Sequence, residues 1–161
     1  MLFVGNVAIY AAFPFLFAYQ KSPAREVSFY VYIAVLLVLG GFFGGVYAFP
    51  LSPTISVSGG NVLYGAFMMS IILLLIVEHN LRVIRNLVWM VVVVTIFESV
   101  LSRFFTLILS HDNISNPYGV NVEVFDVSIW VMVLGSLLIL SELVLVLFVF
   151  EKLKQHIRRL P

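Results

Sequence analysis

The sequence predicts an all-α, polytopic transmembrane bundle of five spans, with the N-terminus outside and the C-terminus cytoplasmic. Three observations carry this expectation. Hydrophobic residues make up 62% of the 161 residues and charged residues 11%, whereas a soluble domain carries about 25% charged residues. Five stretches come close to the roughly 20 apolar residues needed to cross a hydrocarbon core as a helix. The basic residues fall on alternate connections, which is the cytoplasmic enrichment of Lys and Arg. The length allows one domain, read as a bundle over residues 1–150 and the start of a cytoplasmic signalling or linker helix over 151–161.

The first span covers 2–19 and is interrupted by Pro14. It lacks a basic start and a small-residue cleavage site, so it reads as a retained helix and not a cleaved leader. The second covers 27–49. Gly40, Gly41, Gly44 and Gly45 occupy its outer half, and Pro50 and Pro53 follow. It is one helix, or a helix plus a broken segment that would raise the membrane segments to six. The third, fourth and fifth spans cover 61–77, 87–109 and 127–150. Lys21 and Arg25 then lie between spans one and two, and Arg82 and Arg85 between three and four. Lys152, Lys154, Arg158 and Arg159 follow span five. A sixth crossing would divide these residues between both sides of the membrane, so five spans are preferred. The external loops, 51–60 and 110–126, carry Asp112, Glu123 and Asp126 but no Lys or Arg. Asn113, Asn116, Pro117 and Gly119 in the second loop favour turns.

Three ionisable residues fall inside spans: Glu98, Arg103 and Glu142. Each costs at least about 2.5–3.5 kcal/mol to insert, so each needs a reason to be there. Glu98 and Arg103 are about 140° apart around an ideal helix and do not pair within it. One reading places all three around a polar cavity that binds a ligand or a proton. The other makes them interhelical pairs that fix packing, with Arg103 snorkelling to the outer surface. At the start of span three, Gly59 and Gly60 precede Asn61 and Tyr64. An unwound glycine-rich helix start exposes N–H groups to a polar or anionic ligand, although the spacing alone slightly favours a simple helix entry. Gly40 with Gly44, and Gly41 with Gly45, are small-xxx-small pairs that admit a neighbouring helix, more often within one chain than between chains. Ala8 and Ala12 share the spacing.

Several classes are disfavoured. A net charge of +1 supplies no field for nucleic acid, and the absence of cysteine removes disulfides and thiolate metal sites. His111 and Asp112 are too few for a structural metal. No Ser/His/Asp set, P-loop or metalloprotease helix motif is present, so neither an enzyme nor a cofactor is expected. At the C-terminal end, Val146, Phe150, Leu153, Ile157 and Leu160 follow a heptad spacing. That seam fits a signal-relaying helix that dimerises with a second copy, or an amphipathic end resting on anionic lipid. Pro161 resembles a helix stop before a further segment, which predicts that the native chain continues.

The runs Leu39-Gly-Gly-Phe-Phe-Gly-Gly-Val-Tyr-Ala-Phe-Pro50 and Ser58-Gly-Gly-Asn-Val-Leu-Tyr-Gly-Ala-Phe-Met-Met69, followed by Val77-Glu78, resemble vitamin-uptake-like sensor domains. These are membrane input modules at the N-termini of prokaryotic signalling proteins such as sensor histidine kinases, and are similar to vitamin and queuosine-precursor uptake proteins. The resemblance is best over 39–109 and weak over spans one and five. It implies a small bundle in the prokaryotic cytoplasmic membrane that binds a small molecule near its outer face, with Asn61, Tyr64 and Glu98 near the pocket. Uptake proteins of this kind usually have six segments, against five here. Output would come from sequence beyond Pro161 or from a partner. The expected function is therefore sensory input, relayed by the last helix to a cytoplasmic output domain in cis or in trans. The alternatives are the substrate-binding component of a vitamin or nucleobase-precursor transporter, and a non-catalytic scaffold subunit.

Overall fold

The computed structural model describes residues 1–78, 80–117 and 119–157, with the backbone alone at Leu81, Ile84, Leu147 and 153–157. Five helices are long and apolar enough to cross a membrane. They are α1 (Leu2–Tyr19), α2 (Ala24–Val46), α3 (Gly59–Glu78), α4 (Leu81–Leu109) and α5 (Ile129–Ile157). A β-hairpin, β1 (Ala48–Ser52) and β2 (Ile55–Ser58), joins α2 to α3, and a short 3-10 turn, Val122–Val124, lies between α4 and α5.

The glycine quartet does not break α2, which runs uninterrupted to Val46. The six-segment alternative therefore falls among the described residues. The region read as an external loop is the antiparallel hairpin. Phe49 lies opposite Val57 and Pro50 opposite Ser56, with a bulge between Pro50 and Ser52. A two-stranded ribbon is all edge, and edges and bulges are where a strand tolerates proline. The fourth helix starts at Leu81, earlier than hydropathy suggests. The Asn80 side chain caps it by accepting from the Arg82 N–H at 3.0 Å, so Arg82 and Arg85 ride on its first turns.

Pro14 sits inside α1 without ending it. It has no N–H to give the carbonyl of Tyr10, one turn earlier. The Tyr32 hydroxyl of α2 donates to that carbonyl at 2.6 Å. In lipid no water is available for the task, so a neighbouring helix must supply the donor.

The core follows from helical periodicity. Leu63, Phe67, Ile71 and Leu74 line one face of α3 and are fully buried against Phe29, Ile33 and Leu36 of α2 and Val83, Leu87 and Val91 of α4. Helix α3 is the most enclosed of the five. At the end carrying the short turns, Arg25 Nη2 meets Glu78 Oε1 at 2.8 Å, tying α2 to α3. The Asn86 amide donates to the Tyr30 hydroxyl, which donates to Glu26, tying α4 to α2. Helix α5 packs chiefly on α4, adding Leu143 to the core.

Candidate functional site

Between α5 and the α2–α3–α4 core the helices do not close. They leave a cavity of about 560 Å³ in the half of the bundle nearer the hairpin. That is the size of a small-molecule site.

Its floor is built from glycines. Gly40 and Gly44 of α2 meet Gly60 at the start of α3. A Cβ on Gly60 would lie 2.7 Å from the Gly40 carbonyl oxygen and 2.9 Å from the Gly44 Cα. Glycine is what lets the two backbones touch. One turn away, a Cβ on Gly41 would land on the Glu98 carboxylate. The missing side chain on α2 is the slot that receives Glu98 from α4. Gly45 lies farther out, near Val124.

The start of α3 is not unwound. The Ser58 side chain caps it, accepting from the Asn61 N–H at 3.2 Å, and the Gly59 N–H donates to the Tyr47 carbonyl. The Gly59 and Asn61 N–H groups are thus taken. The side chains of Asn61 and Tyr64 line the cavity.

Glu98 and Glu142 reach the cavity from α4 and α5. Glu142 Oε2 is buried without a hydrogen-bond partner, and among the described residues the Glu98 carboxylate makes no hydrogen bond or ion pair. Ser102, 3% exposed, also lines the cavity with its hydroxyl unpartnered among the described residues. Ser99 donates to the Thr95 carbonyl at 2.8 Å and lies 3.3 Å from the Met132 sulfur of α5. No described Lys, Arg or His lines the cavity. Arg103, the third intramembrane charge, is not on its wall. It is half-exposed and meets Asp126 at 3.5 Å, because its position on α4 points it away from Glu98.

The long α4–α5 connection forms the roof. Val124 and Val127 face the cavity. Phe125 is wedged between Phe42 of α2 and Phe105 of α4, with ring centroids 5.6 and 5.3 Å away.

Asn61, Tyr64, Glu98 and Glu142 are thus brought together, and Arg103 stands apart. Ser58, Gly135, Ser136 and Met132 also line the cavity and carry no signal of their own in the sequence. Thr95, Ser99 and Ser102 do carry one: with Glu98 they form a polar stripe at helical spacing in an otherwise apolar span. Of the expected relay residues, Phe150 packs against the core. Leu153 and Ile157 continue the backbone of α5, and Leu160 lies outside the described residues. Among the described residues no group of three or more His, Asp or Glu could hold a metal ion.

Five helices long and apolar enough to cross a membrane, with a largely apolar cavity between them that holds two carboxylates, mark an integral membrane protein. The chain belongs to the vitamin uptake-like sensor family, whose profile matches residues 7–161, so the likeness extends through spans one and five as well. The family's description gives its members a sensory role. Comparison with curated proteins and with solved structures returned no match.

Proposed function

We propose that this chain is the membrane-embedded input module of a prokaryotic signalling protein. A small molecule enters the cavity from the outer side of the cytoplasmic membrane and shifts α5 against the α2–α3–α4 core. Helix α5 carries the shift to a cytoplasmic output domain, in cis or in trans, as the first part of a dimeric coiled coil along Phe150, Leu153, Ile157 and Leu160. The module itself performs no catalysis. The observation that carries this reading is that α5 is one wall of the cavity. Val131, Gly135, Ile139 and Glu142 of α5 face Gly41 and Tyr64 across it, so an occupant touches the moving helix and its reference at once. A ligand shifts an equilibrium only by binding the two arrangements unequally, and a site shared between two bodies meets that requirement.

Orientation follows from charge. Lys21, Arg25, Arg82 and Arg85 lie at the end marked by the Arg25–Glu78 pair, and the cytoplasmic enrichment of Lys and Arg supports an orientation with that end inside and the cavity in the outer half.

The test needs no knowledge of the ligand. The chain has no cysteine, so Ile72→Cys on α3 and Val144→Cys on α5, both exposed, can carry spin labels. Gly135 has open space where a Cβ would sit. Gly135→Leu fills the cavity and should change the interlabel distance distribution. An unchanged distribution in a folded variant removes the coupling on which the sensor reading rests.

The transporter-component reading draws on Ala8 and Ala12, which lie exposed on α1 where an energising partner could dock. Vesicle uptake of a labelled heteroaromatic substrate that depends on this chain would favour it. The scaffold reading has less support, since Gly60 already covers Gly40 and Gly44.

A further inference from the structure

We infer that the cavity selects a positively charged small molecule with an aromatic or otherwise flat apolar body. The inference deepens the sensor reading and rests on its premise that this cavity is the ligand site.

Charge is the first argument. Two carboxylates, Glu98 and Glu142, line one cavity, and no described basic side chain lines it with them. Neither carboxylate has a partner among the described residues, and one Glu142 oxygen is fully buried. The basic residue nearest along the chain, Arg103, is engaged outside with Asp126. Buried carboxylates are ordinarily paired or hydrogen-bonded. A site that keeps two acidic groups unpaired is complementary to a cation, and it gives a bound anion no basic side chain to pair with.

Shape and polarity supply the second argument. Tyr64 stacks on Phe67 with ring centroids 5.8 Å apart and an interplanar angle of 23°, and both rings line the cavity along with Leu36 and Ile139. A flat apolar body fits such a wall, and cations favour aromatic faces. The third argument is the unpartnered hydroxyl of Ser102, a residue 3% exposed. It lies on the same stripe of α4 as Glu98 and is placed to bond a polar group of the occupant.

A charge series of matched size tests the class: benzamidine, benzamide and benzoate share one planar body and carry opposite or no charge. The full chain in lipid nanodiscs, labelled at Ile72→Cys and Val144→Cys, is titrated with each to millimolar concentration. Thermal midpoint and interlabel distance are read together. Benzamidine should raise the midpoint and shift the distance, with benzamide weaker and benzoate without effect. Glu98→Gln and Glu142→Gln should each weaken benzamidine about tenfold, the size of one charge-assisted hydrogen bond. Stronger protection by benzamide or benzoate overturns the cation class while leaving the cavity as a ligand site. No response to benzamidine in the wild-type chain also overturns it, whatever the variants do. Failure of the sensor reading is a separate result: Gly135→Leu then leaves α5 in place.

Discussion

Pro14 withholds one N–H from α1, and the consequence falls on a different helix. The Tyr32 hydroxyl donates to the orphaned Tyr10 carbonyl, so Tyr32→Phe should cost about 1–2 kcal/mol in a unfolding titration in micelles. With Pro14→Ala the carbonyl regains a helical partner, and Tyr32→Phe should then cost close to nothing. A full cost in both backgrounds would mean that the hydroxyl does not serve that carbonyl. The glycines at the cavity differ in a similarly local way. At Gly60 an added methyl meets backbone on α2, which cannot yield, so Gly60→Ala should destabilise by about 1–3 kcal/mol. At Gly41 the nearest atoms it meets are the carboxylate end of Glu98, which can swing aside. Gly41→Ala should therefore leave stability within about 1 kcal/mol while weakening benzamidine as strongly as Glu98→Gln does. Of the site, the sequence makes Glu98, Glu142, Asn61 and Tyr64 legible, because a polar group in an apolar span stands out against its neighbours. Arg103 stands out equally, yet five residues of helical rotation turn it away from Glu98 and toward Asp126. Gly135 and Met132 are invisible in advance, since only the helix that faces them gives them a role.

At the scale of elements, the helices are joined by unequal means. Arg25 and Glu78, with about a fifth of each side chain exposed, clamp α2 to α3 in a partly dehydrated setting. Arg25→Ala should cost about 1–2 kcal/mol, between an exposed and a buried pair, and Glu78→Gln should add little once Arg25 is gone. The roof over the cavity depends on one aromatic side chain. Phe125→Ala removes both ring contacts, to Phe42 and to Phe105. Amides of 122–127 should then exchange with deuterium about tenfold faster, with α3 unaffected. Unchanged exchange would show that the roof is held some other way. The helices were legible because lipid forces every spanning segment into a long apolar run. The hairpin was not. Its strands are five and four residues long, and Pro50 in the first is a residue that ordinarily argues against a strand. The early start of α4 was also hidden, because Arg82 and Arg85 lower the local hydropathy while the Asn80 cap holds the helix they begin.

At the scale of the whole molecule, the span count and the charge pattern support one another. Five helices are long and apolar enough to cross, and an odd number is what gathers Lys21, Arg25, Arg82, Arg85 and Lys152 toward a single end. The orientation proposed from that pattern has a direct check in a chain without cysteine. In intact cells a membrane-impermeant maleimide should label Thr54→Cys at the hairpin tip, and should label Ser22→Cys only after permeabilisation. The reverse pattern would invert the topology and place the cavity on the cytoplasmic side.

The connections around α5 have a further consequence. Residues 20–23 join α1 to α2 and two residues join α3 to α4, whereas α4 and α5 are separated by residues 110–128. Asn116 and Pro117 lie in that stretch, away from any helix. Exposed loops of this kind are where a chain tolerates being nicked, and membrane helices can insert separately before they associate. The molecule should therefore be divisible. A gene split after Asn116 yields a four-helix piece and a lone α5, and the two should find each other in the bilayer. Their affinity could then be titrated from outside, with cavity occupants acting as glue or as wedge.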